Sequence, residues 1–192
     1  MSNLYTGKGD KGMTTFFGSA EQYPKSALRV ESLGVIDELN AYLGLCKVYA
    51  KTFAQHPIAD TTLAQLLEMV QQHLFIIQAE IGGAGERMTE AKIAELEASI
   101  AALEKKLPPI TTFFLAGGTE LAAHLDVART IARCAERRLV SFRHDAAMTG
   151  AEKGQPSGYT LAYVNRLSSL LYALTRHVNH CAGEKEVAPS YQ

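Results

Sequence analysis

The first residues equipped for chemistry stand near the N-terminus, in Tyr5-Thr6-Gly7-Lys8-Gly9-Asp10-Lys11-Gly12-Met13-Thr14. Gly7, Gly9 and Gly12 match G-x-G-x-x-G. That pattern binds a dinucleotide only where a strand leads in and a helix leads out. Six residues precede Gly7 and no helical periodicity starts at Gly12, so neither flank is present. Gly7 and Gly12 also have P-loop spacing, but Met13 stands where the lysine belongs. A looser phosphate cradle remains: backbone N–H groups freed by glycine, the hydroxyls of Thr6 and Thr14, and the ammonium groups of Lys8, Lys11 and Lys25. A solvated, flexible arm is the other reading of the same residues.

A second group lies far along the chain, in Asp126-Val-Ala-Arg129-Thr-Ile-Ala-Arg133-Cys-Ala-Glu136-Arg137-Arg138. Arg129, Arg133 and Arg137 are four apart and line one face of a helix. Like charges at that spacing repel, so the row needs anions. These are either phosphates or partners on neighbouring helices, for which Asp37-Glu38 and Asn165-Arg166 are candidates. A third group, Phe113-Phe114-Leu115, sits between Pro108-Pro109 and Gly117-Gly118. Aromatic residues on such a loop either form a binding surface or tuck into the end of the bundle. The six histidines make no metal-ligand spacing. Glu120 and His124 are four apart, whereas a di-iron bundle needs Glu-x-x-His twice.

The elements that must position these groups are helices. Apolar residues recur every three or four positions at Ile36, Leu39, Leu43, Cys46 and Ala50, and again at Leu63, Leu67, Val70, Leu74, Ile77 and Ile81. A third stripe runs Ile93, Leu96, Ile100, Leu103, Leu107. The fourth runs Leu121, Leu125, Ala128, Ala132, Ala135, Leu139, Phe142, and the fifth Leu161, Val164, Leu167, Leu171, Leu174, Val178. Each spacing predicts one amphipathic helix. Breakers fall between them at Pro57, Gly82-Gly83-Ala84-Gly85, Pro108-Pro109, Gly117-Gly118, and Gly154 with Pro156. Asp60 or Thr61, Thr89, Thr119 and Ser157 stand where N-caps are wanted. No strand-type alternation is long enough to demand a sheet. The expectation is an all-α, single-domain protein: an arm over residues 1–25, a five-helix bundle over 26–182, and a loose tail over 183–192. The alanines of the fourth stripe allow neighbours to approach closely, which reads either as tight helix packing alone or as a central helix that carries a site on its other faces.

The composition sets outer bounds. Apolar residues make up 47% and charged residues 20%, as in soluble globular domains. A net charge of −1 provides no global field for nucleic acid or an anionic membrane. No run of about 18 apolar residues predicts a membrane span. Cys46, Cys134 and Cys181 are odd in number and scattered, which suits buried thiols in a reducing, cytoplasmic setting.

At these residues the chain resembles the PduO-type ATP:cob(I)alamin adenosyltransferases. The matching blocks are Tyr5–Gly12, Lys25, Gly34-Val-Ile-Asp37-Glu38-Leu39-Asn40, Phe113–Thr119, Ala128–Arg137, and Asn165-Arg166-Leu167-Ser168. Three places depart from the family's pattern: Ala116 replaces a proline, Ser169 replaces an aspartate, and Ile81–Glu86 lacks an Ala-Thr-Pro-like turn.

The resemblance implies a homotrimer of five-helix bundles with active sites between subunits, and an arm that folds over ATP when ATP binds. It implies that the nucleotide is held by Thr6, Gly7, Lys8, Gly9, Asp10, Lys11, Gly12, Thr14 and Lys25 of the arm, with Arg133, Glu136, Arg137 and Asn165 of the bundle. Asp37 and Arg129 resemble an ion pair across the subunit interface. Phe113 resembles the residue that displaces the lower ligand of cobalamin. The substrates implied are ATP and cobalamin, with Mg²⁺ bridged by the phosphates rather than held by the protein. A corrinoid reductase is the implied partner, and nucleic acid and membrane are not. Two other readings fit the residues: a regulatory nucleotide-binding bundle without activity, and a purely structural helical oligomer.

Overall fold

Each predicted apolar stripe falls on a helix in the computed structural model, Leu107 alone lying past the end of its own; the structure describes residues 4–16, 18–149 and 154–191. Helix α1 spans Leu28–Ala50, α2 Leu63–Gly82, α3 Glu90–Glu104, α4 Glu120–Thr149 and α5 Gly158–Cys181. All five stripe residues of α1 and all six of α2 are fully buried. Ala128, Ala132 and Ala135 are fully buried as well. Their small side chains let α4 lie against both α1 and α5, while α2 packs on α1 and α3 on α5.

The caps are largely where the sequence puts them, with one correction. Helix α2 is capped by Thr62, not by Asp60 or Thr61. Its hydroxyl accepts from the Gln65 N–H at 3.2 Å, and Gln65 Oε1 accepts from the Thr62 N–H at 2.9 Å. This is a complete capping box. Ser157 accepts from Thr160 N–H at 3.1 Å at the start of α5, and Thr119 accepts from Ala122 N–H at 3.2 Å at the start of α4. Thr89 precedes α3 without a side-chain cap bond.

Two regions differ from the sequence expectation. The N-terminal segment contains a two-stranded antiparallel ribbon, β1 Met13–Thr15 paired with β2 Gln22–Pro24. Three-residue strands are too short to show a period of two, so no sheet is legible in the residues. The segment after Gly183 is not loose: Arg176 binds the Glu186 carboxylate, and the Leu115 N–H donates to the Val187 carbonyl at 2.8 Å.

The bundle has two distinct ends. At one, Arg29 Nε near the start of α1 donates to the Ile81 carbonyl near the end of α2 at 2.8 Å. There the fully buried Glu80 carboxylate accepts from Met88 N–H at 2.9 Å, Ser157 N–H at 2.6 Å and the Thr160 hydroxyl at 2.8 Å. These charge-assisted bonds lock α2 to the N-terminus of α5, where the helix dipole favours an anion. At the other end, Tyr49 of α1 stacks on His124 of α4, and Phe53 meets His177 of α5.

Candidate functional site

The N-terminal segment is built from turns. Gly7 and Gly12 have φ of +67° and +78°, a conformation that other residues rarely adopt. The Asp10 N–H donates to the Gly7 carbonyl at 3.2 Å and the Gly12 N–H to the Gly9 carbonyl at 3.1 Å. The Lys8 N–H reaches the Thr6 hydroxyl at 3.4 Å. Lys25 returns along the ribbon, its N–H donating to the Gly12 carbonyl at 2.8 Å. Its ammonium lies over Gly9, 3.0 Å from where a Cβ would stand. The structure therefore brings Lys25 and the glycine turns together, with Lys8 and Lys11 exposed beside them. Thr14 sits within β1, opposite Tyr23.

This segment is anchored by a residue that sequence reasoning missed. Arg29 is 7% exposed. Its guanidinium lies 3.9 Å from the centroid of Phe16 and donates to the Tyr23 hydroxyl at 3.2 Å. Burial pushes its pKa down, and Tyr23 and Glu21 oppose that.

The arginine row lies on α4 as expected, but its members differ. Arg129 is half-buried, and its Nε contacts Asp126 Oδ1 at 3.0 Å, one turn earlier in the same helix. Asp37 instead accepts from Gln78 Nε2 at 3.3 Å, so the structure does not bring Asp37 and Arg129 together within one chain. The anticipated neighbours of the row are otherwise engaged. Asn165 Nδ2 donates to Glu136 Oε1 at 2.8 Å, and Arg166 pairs with Glu97 at 3.0 Å. Among the described residues Arg133 and Arg137 are exposed and form no ion pair. Two like charges left in this way suit an anion from outside the chain.

Arg129 and Arg133 face a cavity of about 1170 Å³. Its other walls are residues 107–114 of the α3–α4 loop, and Ser168, Ser169, Tyr172 and Arg176 of α5. The two phenylalanines of the loop separate. Phe114 is half-buried, with the Arg176 guanidinium 5.4 Å from its centroid, whereas Phe113 is 81% exposed. Arg176 holds the loop's entry by donating to the Pro108 carbonyl at 3.0 Å. Hydrogen bonding to Glu186 pushes the Arg176 pKa up and keeps the guanidinium charged although only 5% of the residue is exposed. Arg176 and Tyr172 carry no sequence-level signal of this role, because their partners lie far along the chain, whereas Asp126 stands three residues before Arg129 on the same helix. A smaller hollow of about 590 Å³ lies between α3 and α5, beside the Arg166–Glu97 pair, and holds none of the predicted site residues. Among the described residues no cluster of three or more His, Cys, Asp or Glu side chains fits a metal ion.

Comparison with known proteins places this arrangement among relatives. A family model described as cobalamin adenosyltransferase matches residues 4–178. The corrinoid adenosyltransferase PduO of Citrobacter freundii is 37% identical over 191 residues, which cover 96% of this chain and 52% of that protein. The PduO of Salmonella typhimurium is 37% identical, with 48% of its length covered, so the chain spans about half the length of these two curated relatives. The corrinoid adenosyltransferase of Bacillus subtilis is 39% identical over 96% of this chain and 90% of its own. Among solved structures, a variant PduO-type ATP:corrinoid adenosyltransferase from Lactobacillus reuteri, complexed with cobalamin and ATP, superposes with a TM-score of 0.84. It is 30% identical, and the match covers 98% of this chain and 97% of that one.

Proposed function

The chain belongs to the cobalamin adenosyltransferase family, and from that premise we propose that it transfers the 5′-deoxyadenosyl group of ATP to a reduced corrinoid and releases triphosphate. One observation carries this reading: the exposed Phe113 and Arg133, which forms no ion pair among the described residues, face a single cavity of about 1170 Å³, large enough for a bulky planar ligand.

In the proposed reaction the electron pair of Co(I) attacks C5′ of ATP. A Co–C bond forms, the C5′–O bond breaks, and triphosphate leaves with that bond's electrons. The corrinoid carries the difficult chemistry, and the protein contributes orientation and charge. Lys8, Lys11 and Lys25, with the N–H groups of the Gly7–Gly12 turns and the hydroxyls of Thr6 and Thr14, neutralise the phosphates. Arg133 and Arg137 add planar guanidinium donors. The Glu136–Asn165 pair holds the nucleoside end, and Asp10 helps shape the turn. Mg²⁺ would add positive charge at the triphosphate, with no protein side chain assigned to hold it. Phe113 fills the space of the corrinoid's lower axial ligand and keeps water from cobalt. The loss of that ligand makes Co(II) easier to reduce.

The site is shared between subunits of a homotrimer. Distance within the chain supports this. The N-terminal segment is anchored at Arg29, and the Phe113 loop is held at the far end of the bundle. Arg29 and Ala50 alone are about 30 Å apart at 1.5 Å per helical residue. A neighbouring copy supplies the arm, and Asp37 of one subunit meets Arg129 of the next. Free Cys46, Cys134 and Cys181 suit the cytoplasm, where a corrinoid reductase delivers the electron. The test is adenosylation of chemically reduced cob(I)alamin with ATP, followed by absorbance and triphosphate release. A folded protein that yields neither product ends this reading and leaves a regulatory bundle. A monomer in sedimentation at assay concentration ends the shared site.

A further inference from the structure

The loop that carries Phe113 is gripped from α5 at both ends. At its entry Arg176 donates to the Pro108 carbonyl at 3.0 Å. At its exit one carboxamide makes three bonds. Asn179 Oδ1 accepts from the Thr119 N–H at 3.0 Å and from the Thr119 hydroxyl at 3.3 Å, and its Nδ2 donates to the Gly117 carbonyl at 2.8 Å. Arg176 and Asn179 are three residues apart and so share one face of α5. The glycine between the bonded residues is moulded to the amide. Gly118 has φ of +99°, and a Cβ there would stand 2.4 Å from Asn179 Oδ1. Thr119 in turn caps α4, and Asp126, which accepts from the Gly117 N–H at 3.3 Å, pairs with Arg129 on the cavity wall. Asn179 itself does not line the cavity. Phe113, four residues before Gly117 and 81% exposed, takes its place from how the loop ends are held, not from packing of its own ring.

We propose that Asn179 is a positioning residue: it fixes the Gly117–Thr119 end of the loop and so sets where Phe113 stands over the cavity. This rests on the adenosyltransferase reading and on the role given there to Phe113. An amide suits the task because one end accepts from N–H and O–H while the other donates to C=O. Aspartate keeps the acceptor but sets a charge against the Gly117 carbonyl. Alanine removes all three bonds.

The experiment uses Asn179→Ala and Asn179→Asp, each alone and combined with Phe113→Ala. Four quantities are read: adenosylation starting from Co(II) with reductant, adenosylation from chemically reduced Co(I), KM for ATP, and the paramagnetic resonance signature of Co(II) that has lost its axial ligand. The Co(II) rate falls about tenfold in either single variant, the scale of a lost hydrogen bond and the misplacement it permits. The ligand-free Co(II) signal falls with it. The Co(I) rate and KM for ATP stay within about twofold, because neither depends on the loop's exit. In the Phe113→Ala background the Asn179 change adds no further loss, since both act by one route. Equal losses in the two assays, or full additivity with Phe113→Ala, overturn the proposal and make Asn179 a purely structural residue. Should Asn179→Ala not fold, Asn179→Asp decides, because it retains the bonds from Thr119. A wild-type protein that adenosylates Co(I) while the variants show no selective loss overturns this inference alone. A wild type inactive with both forms overturns the adenosyltransferase reading, and this inference with it.

Discussion

Replacing Arg29 by methionine separates the N-terminal segment from the bundle while keeping an unbranched apolar stem up to about the position of Nε. The variant loses two distinct sets of contacts. Toward the bundle, the Ile81 carbonyl loses a 2.8 Å bond from a buried guanidinium. A hydrogen bond from a charged group contributes about 1.5–3 kcal/mol, and this loss reads out as lower thermal stability. Toward the ribbon, the contact over Phe16 at 3.9 Å and the bond to Tyr23 at 3.2 Å disappear. A desolvated cation–π contact is worth about 2 kcal/mol, and that share belongs to docking of the segment alone. If ATP must meet a docked arm, 2 kcal/mol corresponds to a rise of about thirtyfold in KM for ATP. Gly154 packs so closely that a Cβ would come within 2.5 Å of Arg29 Nη2, so the space is shaped for this side chain. Arg29→Lys keeps the charge and loses the planar fork, and falls between the two. Steady-state kinetics, thermal melts and amide exchange across residues 13–24 measure the two shares separately. A variant with a lowered melting temperature but unchanged KM for ATP and unchanged exchange in the ribbon refutes the reasoning, because Arg29 then serves only the bundle.

Three other substitutions probe the cavity and the core. Phe113→Ala removes a ring already 81% exposed, so at about 25 cal/mol per Å² the stability cost is about 1 kcal/mol, against 3–5 for a buried phenylalanine. Adenosylation from Co(II) falls far more than from Co(I), and parallel losses with a lower melting temperature would make Phe113 a packing residue. Arg133→Lys lowers kcat/KM by about tenfold or more with the melting temperature unchanged, because the exposed guanidinium loses its fork and no internal partner. Full activity in the folded variant removes Arg133 from the site. His73 is held below its ordinary pKa of 6.5, first by burial, with Glu95 at 3.6 Å opposing and Lys92 adding to the depression. The folded protein thus holds the proton of His73 more weakly than the unfolded chain, whose imidazole takes up a proton near 6.5. Its contribution to stability is present above that pH and is lost as pH falls through the folded value. His73→Gln therefore shows a smaller loss of melting temperature between pH 7.5 and pH 5.5 than wild type, and an equal loss counts against the assignment.

How much was legible in the residues follows the range of the interaction. The helices were readable because five apolar stripes repeat over many turns, and every stripe residue of α1, α2 and α4 is buried. Arg129, Arg133 and Arg137 were readable as a row for the same reason. Phe113 was legible as a loop residue because Pro108-Pro109 and Gly117-Gly118 bracket it, but whether the ring faces outward or tucks into the bundle end was decided only by the structure, where it is exposed. The α2 cap was displaced to Thr62, since three consecutive residues, Asp60, Thr61 and Thr62, offer side-chain acceptors and only the reciprocal bond with Gln65 decides among them. The Arg29 anchor, the Arg176–Glu186 pair and the Asn179 clamp were not legible. Each joins residues whose encounter is set by packing of whole helices, and no local spacing announces it. Resemblance places Arg129 opposite Asp37, while within the chain it meets Asp126, one helical turn away.

The two functional segments are attached by the same device. At one end of the bundle Arg29 bonds the Ile81 carbonyl and lies against Phe16; at the other Arg176 bonds the Pro108 carbonyl and lies against Phe114. Both arginines are almost fully buried. Only arginine combines a charge that survives burial, several donors in one plane, and a flat face for an aromatic ring. Each guanidinium thereby joins a rigid helix to a segment with no core of its own. Such a joint is directional, and it can be released without opening the apolar core. The helices hold Arg133, Glu136 and Asn165 at fixed spacing, while the ribbon and the Phe113 loop are each held at a few points. On the adenosyltransferase proposal, that division sets a fixed row of charges against two segments held at a few points, one for the nucleotide and one for the corrinoid.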